Sequence, residues 1–231
     1  MRGRDLGRYC FKTDNWYQII PNTHYENVET EDEFAEHYPC AYSYFANYRD
    51  RLVRRSTYRR YQTHLPFYVI YCVGPYSFRK WTVVWMEQQD PNSFRCSVIS
   101  DDKSSIIPNK QLVPDHKLYF AETASEEEAH YLAGYLNSHP VRAWLGGFLH
   151  GKQIGTTVFE FMHVAKFKPR DPDHRRLAAI ARAAHSERKG TRNKAALDKD
   201  AEQEIAQIVQ RIAATDPIRA VSTAKGSLQI R

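Results

Sequence analysis

The chain has 231 residues, of which 42% are apolar and 26% are charged, and its formal net charge at pH 7 is +6. This composition supports a real core in one large domain, or in one medium domain with an appendage. No apolar run is long enough to cross a bilayer, and no apolar segment follows the basic N-terminus, so we expect a cytoplasmic protein without a membrane partner. The four cysteines form no CxxC pair, which excludes the local patterns of zinc ribbons and dithiol redox sites.

The first strong local signals predict helices. Thr30 and Glu33 have the spacing of a capping box, and Pro39 suits the first turn of a helix. Apolar residues then recur at helical spacing at Ala41, Phe45, Tyr48 and Leu52.

An arginine cluster follows at residues 49–61. It holds six arginines and a single acid, a local charge of +5 within thirteen residues. Such a cluster repels itself unless an anion lies beside it, and the regular phosphates of a nucleic acid supply that anion. We therefore predict a nucleic-acid partner. The alternative is a solvated helix end whose arginines pair with the acids between Glu29 and Glu36.

Short runs rich in β-branched and aromatic residues predict a sheet in the middle of the chain. They lie at residues 66–73, 81–86, 94–99 and 117–121, with a closing strand at 157–164. Ser125 with Glu128 then caps a helix, another helix is expected at 141–149, and two more follow residue 171. We expect an α+β fold: a mixed β-sheet with flanking helices over residues 1–170, a helical appendage at 171–215, and a mobile tail at 216–231.

The search for catalytic chemistry is mostly negative. The sequence has neither a GxGxxG nor a Walker-type loop, so a dinucleotide or nucleoside triphosphate cofactor is not expected. The histidines lack the spacing of metal ligands. Asp115 and Glu122 faintly resemble the carboxylates of metal-dependent nucleases, which leaves a small nuclease open as an alternative. We assign no catalytic and no metal-binding residue.

The order of several motifs resembles one known region. These motifs are RGRDLGRY at 2–9, YRDRLVRRS at 48–56, LPFYVIYCVGPYSF at 65–78, WTVVW at 81–85, VIS at 98–100, EEEAHYLAGYLNS at 126–138, IGTTVFEF at 154–161 and KFKPRDPDHRRLA at 166–178. Together they resemble the C-terminal target-recognition domain of TaqI-like adenine-specific DNA methyltransferases, found in restriction–modification systems and in fused methylase–endonucleases.

The departure from that family is equally informative. The full-length enzymes carry an S-adenosylmethionine loop and an Asn-Pro-Pro-Tyr-type motif for the flipped adenine, and this sequence has neither. The resemblance thus implies a recognition module without its catalytic part, either excised or encoded as a separate subunit. Double-stranded DNA and a methyltransferase domain or subunit would be its partners, and S-adenosylmethionine would bind only in that methyltransferase.

The resemblance also implies roles for particular residues, because an enzyme that flips an adenine needs a second domain to clamp the duplex and choose the site. Phosphate contacts are expected from Arg49, Arg54, Arg55, Arg59 and Arg60. Base contacts are expected from loops that could enter the major groove, through Tyr76, Arg79, Lys80, Lys103, Lys152, Gln153 and Thr156. An alternative is a specificity subunit that docks a multisubunit restriction complex through helices near 172–184 and 200–213.

Overall fold

The computed structural model describes residues 3–11, 17–25, 27–100, 111–149, 151–155, 162, 164–187 and 197–215. Helices and two antiparallel sheets make up this part of the chain, so the predicted α+β class is confirmed. Its contacts divide the chain into two units. We call Trp16–Phe78 the inserted unit, and Met1–Asn15 together with Arg79–Arg231 the main unit.

In the described part of the inserted unit the helices are short: α1 (Glu31–His37), α2 (Pro39–Ala46), α3 (Arg49–Val53) and a π-helical turn (Tyr58–Gln62). The predicted capping box is present, since Thr30 accepts from the Glu33 amide and the Glu33 carboxylate accepts from Thr30. Pro39 occupies the first turn of α2, as predicted. The helical periodicity after Pro39 does not make one helix, because α2 ends at Ala46 and α3 begins at Arg49.

The strand predicted at residues 66–73 is wrong. The segment makes turns, and Cys72 has a positive φ of 55°, which an extended strand does not allow. Its backbone is satisfied by side chains instead of a neighbouring strand. Asn22 pairs through its amide with both the N–H and the carbonyl of Ile70, at 2.9 and 3.1 Å. Phe67, Tyr68 and Val69 are buried in the core of the inserted unit.

The other tested strand predictions are confirmed in the main unit. Strands β3 (Thr82–Met86), β4 (Cys96–Ile99) and β5 (Leu118–Glu122) form a sheet in the order β4-β3-β5, with both pairings antiparallel. Val83 lies opposite both Val98 and Ala121. A small hairpin of β1 (Leu6–Gly7) and β2 (Cys10–Phe11) precedes this sheet in sequence. Most of the strand predicted at 157–164 lies outside the described residues.

Four α-helices follow the sheet in the described part of the main unit: α4 (Glu126–Leu136), α5 (His139–Phe148), α6 (Pro172–Glu187) and α7 (Lys199–Thr215). The predicted cap at Ser125 is present, with its hydroxyl accepting from the Glu128 amide at 3.1 Å. The helices α6 and α7 follow the sheet in sequence, as predicted, and their apolar residues join the core that contains Val83 and Trp85. They include Leu177, Ile180, Ile205, Ile208, Val209 and Ile212.

The division into units differs from the boundary predicted at residue 170. The described contacts separate the chain after residues 15 and 78, and α6 and α7 belong to the main unit. The tail at 216–231 lies outside the described residues. No helix in the described part of the chain is both long and apolar enough to cross a membrane.

Candidate nucleic-acid interface

Four arginines of the cluster are exposed, namely Arg51, Arg54, Arg59 and Arg60, and the last three are among those predicted to contact phosphate. Arg54 ends α3, while Arg59 and Arg60 lie on the π-helical turn. Among the residues that the structure describes, no hydrogen bond or ion pair engages these three side chains. Their charge is thus available to an external anion. The wider inserted unit has six arginines and no lysine against seven acids, so its positive charge is confined to this segment.

Arg49 has a different role. Its guanidinium forms an ion pair with Glu31 and donates to the Tyr42 hydroxyl at 3.2 Å. It also lies over the Phe67 ring, 3.9 Å from the centroid. The Glu31 carboxylate raises the pKa of Arg49 by accepting its hydrogen bonds. Arg49 therefore follows the alternative in which the arginines pair with the acids at 29–36. Its positive charge is neutralised by Glu31 within the inserted unit.

Arg55 holds the turn that replaces the predicted strand. Its Nε donates to the Leu52 carbonyl at 2.8 Å, and its Nη2 donates to the carbonyls of Phe67 at 2.7 Å and Val69 at 3.0 Å. Burial lowers the pKa of this guanidinium. Because the Arg55 guanidinium donates to three backbone carbonyls, we expect it to stabilise the inserted unit instead of contacting phosphate.

The π-helical turn presents its arginines outward because two neighbours hold it from inside. Tyr58 donates to the Leu65 carbonyl at 3.1 Å, and the buried Gln62 donates to the Val69 carbonyl at 3.1 Å. Such widened turns are rare and occur often at functional sites. The backbone that carries Arg59 and Arg60 is therefore anchored at both ends.

Tyrosines border these arginines. Tyr48 and Tyr61 are exposed, and each has a guanidinium near its ring, Arg51 at 6.0 Å and Arg60 at 5.9 Å. Most of the large apolar side chains exposed in the described structure belong to the inserted unit: Tyr17, Ile19, Tyr38, Tyr44, Tyr48, Tyr61 and Tyr71. Exposed aromatic rings beside arginines can contact both the bases and the phosphates of a nucleic acid. The sequence did not predict this aromatic surface, because the exposure of a ring is not visible in a residue pattern.

The described base-reading candidates of the main unit fall into two places. Arg79 and Lys80 are exposed and precede β3, with Arg79 Nε donating to Glu122 at 2.9 Å. Lys152 and Gln153 are also exposed, but they lie beyond the other end of β3, where Gln153 bridges to Gln88. The five residues of β3 span about 13 Å, so the two pairs lie at opposite ends of that strand.

The loop that carries Lys152 and Gln153 is firmly held. The Lys152 carbonyl accepts from the Gln89 amide at 2.8 Å, and the Ile154 amide donates to the Glu87 carbonyl at 2.8 Å. Trp85, which is fully buried, donates its indole N–H to the Ile154 carbonyl at 3.2 Å. Two exposed polar side chains on such a loop can be presented to a ligand with little further loss of backbone conformational entropy.

The remaining candidates are less suited to base contact or lie elsewhere. Tyr76, in the inserted unit, donates its hydroxyl to the Cys72 carbonyl at 2.8 Å, and its ring lies against Gly74. The Tyr76 hydroxyl therefore already donates its hydrogen bond within the inserted unit. Lys103 and Thr156 lie outside the described residues.

The main unit carries a further basic group that was not among the predicted contact residues. Lys166, Lys168 and Arg170 are exposed in the segment just before α6. They concentrate three positive charges in five residues, and local charge counting along the chain could have found them.

The two carboxylates of the nuclease alternative do not converge. Glu122 ends β5, whereas Asp115 lies three residues before the strand begins, so the strand, about 13 Å long, lies between them. Glu122 pairs with Arg79, and Asp115 pairs with His116 at 2.6 Å. In the described part of the chain, no three His, Cys, Asp or Glu side chains are grouped in a way that could hold a metal ion.

Comparisons with known proteins add no assignment. No protein-family model matches the chain, and no curated protein matches it. The resemblance to methyltransferase recognition domains therefore remains a prediction from the sequence motifs.

Proposed function

We propose that this chain is a sequence-specific recognition module for double-stranded DNA that serves an adenine-specific DNA methyltransferase. It would position the duplex for base flipping by a catalytic domain or subunit that supplies S-adenosylmethionine, within a restriction–modification system used in phage defence. The predicted cytoplasmic location belongs to this proposal.

The observation that carries the proposal is the exposed set Arg54, Arg59 and Arg60. Their guanidinium groups have no anion beside them in the described structure, and the segment that bears them is anchored by Arg55, Tyr58 and Gln62. Fixed, unneutralised positive charge is what phosphate binding requires, because its driving force is the release of counterions from the DNA. Arg49 and Arg55 support this surface without contacting DNA in our proposal.

Specificity would come from the main unit. Arg79 and Lys80 on one side of β3, and Lys152 and Gln153 on the other, are exposed donors with the chemistry that reads guanine and adenine edges. Lys103 and Thr156 remain candidates from the sequence. Phosphate contacts would set the register, and these side chains would select the site.

The alternatives receive less support from the geometry. A specificity subunit that docks its complex through α6 and α7 would have to use their polar faces, since their apolar residues are buried in the core. A metal-dependent nuclease would need Asp115 and Glu122 near each other, and they lie at opposite ends of β5.

The test is a salt series of fluorescence-anisotropy titrations with duplex DNA. A triple variant, Arg54→Ala, Arg59→Ala and Arg60→Ala, should bind all duplexes more weakly and lower the slope of log affinity against log salt by up to about 0.9 for each lost contact. The matched control is Arg175→Ala, Arg176→Ala and Arg211→Ala, which removes the same charge from arginines that pair with Glu127, Glu204 and Asp173. Equal losses in both triple variants, or wild-type binding weaker than about 0.1 mM at physiological salt, would refute the proposal.

The reading residues need a cognate sequence, which selection from randomised duplexes can supply. Arg79→Ala, Lys80→Ala, Lys152→Ala and Gln153→Ala should each cost about 1–3 kcal/mol on that sequence and much less on unrelated DNA. Calorimetry of the isolated chain with S-adenosylmethionine should show no binding. Stoichiometric micromolar binding would contradict the assignment to a module without a catalytic part.

A further inference from the structure

The exposed tyrosines of the inserted unit include one stacked pair. The rings of Tyr61 and Tyr71 lie 5.2 Å apart between centroids, at an interplanar angle of 18°. Tyr61 remains 47% exposed and Tyr71 36%. An offset stack of this kind covers part of each ring and leaves a substantial aromatic surface in water.

The pair is held in place by its surroundings. Tyr25 packs its ring edge against Tyr71 at 5.0 Å and donates its hydroxyl to the Tyr61 carbonyl at 3.0 Å. Tyr61 also continues the π-helical turn, whose next residue, Gln62, is anchored to the Val69 carbonyl. Ordering these rings on binding would therefore cost little entropy.

Positive charge adjoins the pair. The Arg60 guanidinium lies 5.9 Å from the Tyr61 centroid, and Arg59 is exposed on the same turn. An aromatic surface beside unneutralised arginines is complementary to a nucleotide, which has an aromatic base and an anionic phosphate. An apolar peptide would use the rings but would leave the arginines without partners.

We propose that Tyr61 and Tyr71 form a stacking platform for an unpaired DNA base, with Arg59 and Arg60 beside the flanking phosphates. The base must be unpaired because both faces of a base within a duplex are covered by its neighbours. The inference rests on the proposed DNA-binding function and narrows its substrate: the inserted unit engages DNA in which one nucleotide has left the stack.

The test compares three probes of one sequence by anisotropy: an intact duplex, the same duplex with a one-nucleotide bulge, and the single strand. We expect wild-type protein to prefer the bulged duplex over the intact one. Tyr61→Ala should weaken binding to the bulged and single-stranded probes by about fivefold to a hundredfold, and should change binding to the intact duplex by less than about twofold. Tyr61→Phe keeps the ring and should behave as the wild type.

Tyr38→Ala is the matched control, because Tyr38 is exposed in the same unit but adjoins the acidic helix α1. It should leave the preference for the bulge unchanged. A second measurement needs no variant: 2-aminopurine placed in the bulge should lose fluorescence when wild-type protein binds and stacks on it.

The outcomes separate this inference from the proposed function. Equal affinity for bulged and intact duplexes, equal losses on both with Tyr61→Ala, or unchanged 2-aminopurine fluorescence in the complex would overturn the platform while leaving duplex binding in place. Binding to the single strand alone, abolished by Tyr61→Ala, would support the platform and refute the duplex-recognition function.

Discussion

The guanidinium of Arg8 forms a two-point ion pair with the carboxylate of Glu202, 194 positions later in the chain. The same Nη2 that lies 2.9 Å from Glu202 donates to the Asn137 carbonyl at 3.0 Å. Arg142 approaches the carboxylate as well, at 3.6 Å. The N-terminal hairpin, the α4–α5 junction and α7 thus meet at one acid within the main unit.

Removing Arg8 should destabilise the main unit strongly. Its side chain is only 16% exposed, and Arg8→Ala would leave the largely buried Glu202 without its two-point partner, at a cost of about 3 kcal/mol. Chemical denaturation measures the loss. Arg176→Ala is the control, since Arg176 pairs with Glu204 on the surface at 58% exposure, and it should shift the midpoint far less. Equal shifts in both variants would mean that the Arg8–Glu202 ion pair contributes no more to the stability of the main unit than a surface ion pair does.

Two helical glycines should respond oppositely to alanine. A Cβ on Gly134 in α4 would lie 2.9 Å from Leu177 Cδ1 and 3.1 Å from Ala181 Cβ, both buried in α6, so Gly134→Ala should cost about 1–3 kcal/mol. A Cβ on Gly147 in α5 meets nothing within 4 Å in the described structure, and Gly147→Ala should stabilise by about 0.5–1 kcal/mol. Thermal unfolding of both variants checks the signs. A stabilising Gly134→Ala would contradict the close approach of α4 and α6.

The pH dependence of stability should reflect His130. Burial lowers the pKa of His130 to about 3, and the nearby positive charge of His185 and Arg182 acts in the same direction. Glu126 lies 3.9 Å from its Nε2 and forms an ion pair with Arg182 at 3.0 Å. The unfolded chain protonates this histidine below about pH 6.5, whereas the folded chain keeps it neutral. Stability is therefore expected to fall as the pH drops from 6.5 towards 3, by up to about 1.4 kcal/mol per pH unit.

His130→Phe keeps a ring at this position and removes its titration. Urea unfolding from pH 7 to pH 4 should give a flatter profile for this variant than for the wild type. His139→Phe, at an exposed histidine of the same unit, serves as the control and should retain the wild-type slope. An unchanged slope in His130→Phe would assign the pH dependence to other groups.

Neighbouring arginines of the cluster should separate stability from binding. Arg55→Ala leaves the Phe67 and Leu52 carbonyls without this donor and should cost the inserted unit about 2 kcal/mol. Arg54→Ala should change stability by less than about 0.5 kcal/mol and weaken DNA binding. Hydrogen exchange over residues 67–70 reports the first effect, and anisotropy reports the second. Faster exchange in Arg54→Ala than in Arg55→Ala would reverse the two assignments.

Local signals predicted much of this fold correctly. The caps at Thr30 and Ser125, the proline at position 39 and the three strands of the main sheet each depend on residues within a few positions of one another. The run at 66–73 has the same composition as those strands, but its carbonyls and amides are satisfied by Asn22, Arg55 and Gln62. An apolar run cannot indicate whether a strand or a side chain will satisfy its backbone.

By itself, the sequence determined that the chain is α+β, where most helices begin, and that positive charge is concentrated at residues 49–61. Only the tertiary structure decided which of those charges remain available. Glu31 lies 18 positions before Arg49, and Phe67 lies 12 positions after Arg55. Whether each arginine meets its partner therefore depends on how the chain folds back in three dimensions. The same holds for the exposed faces of Tyr61 and Tyr71, because exposure is a property of packing between distant segments and no residue pattern encodes it locally.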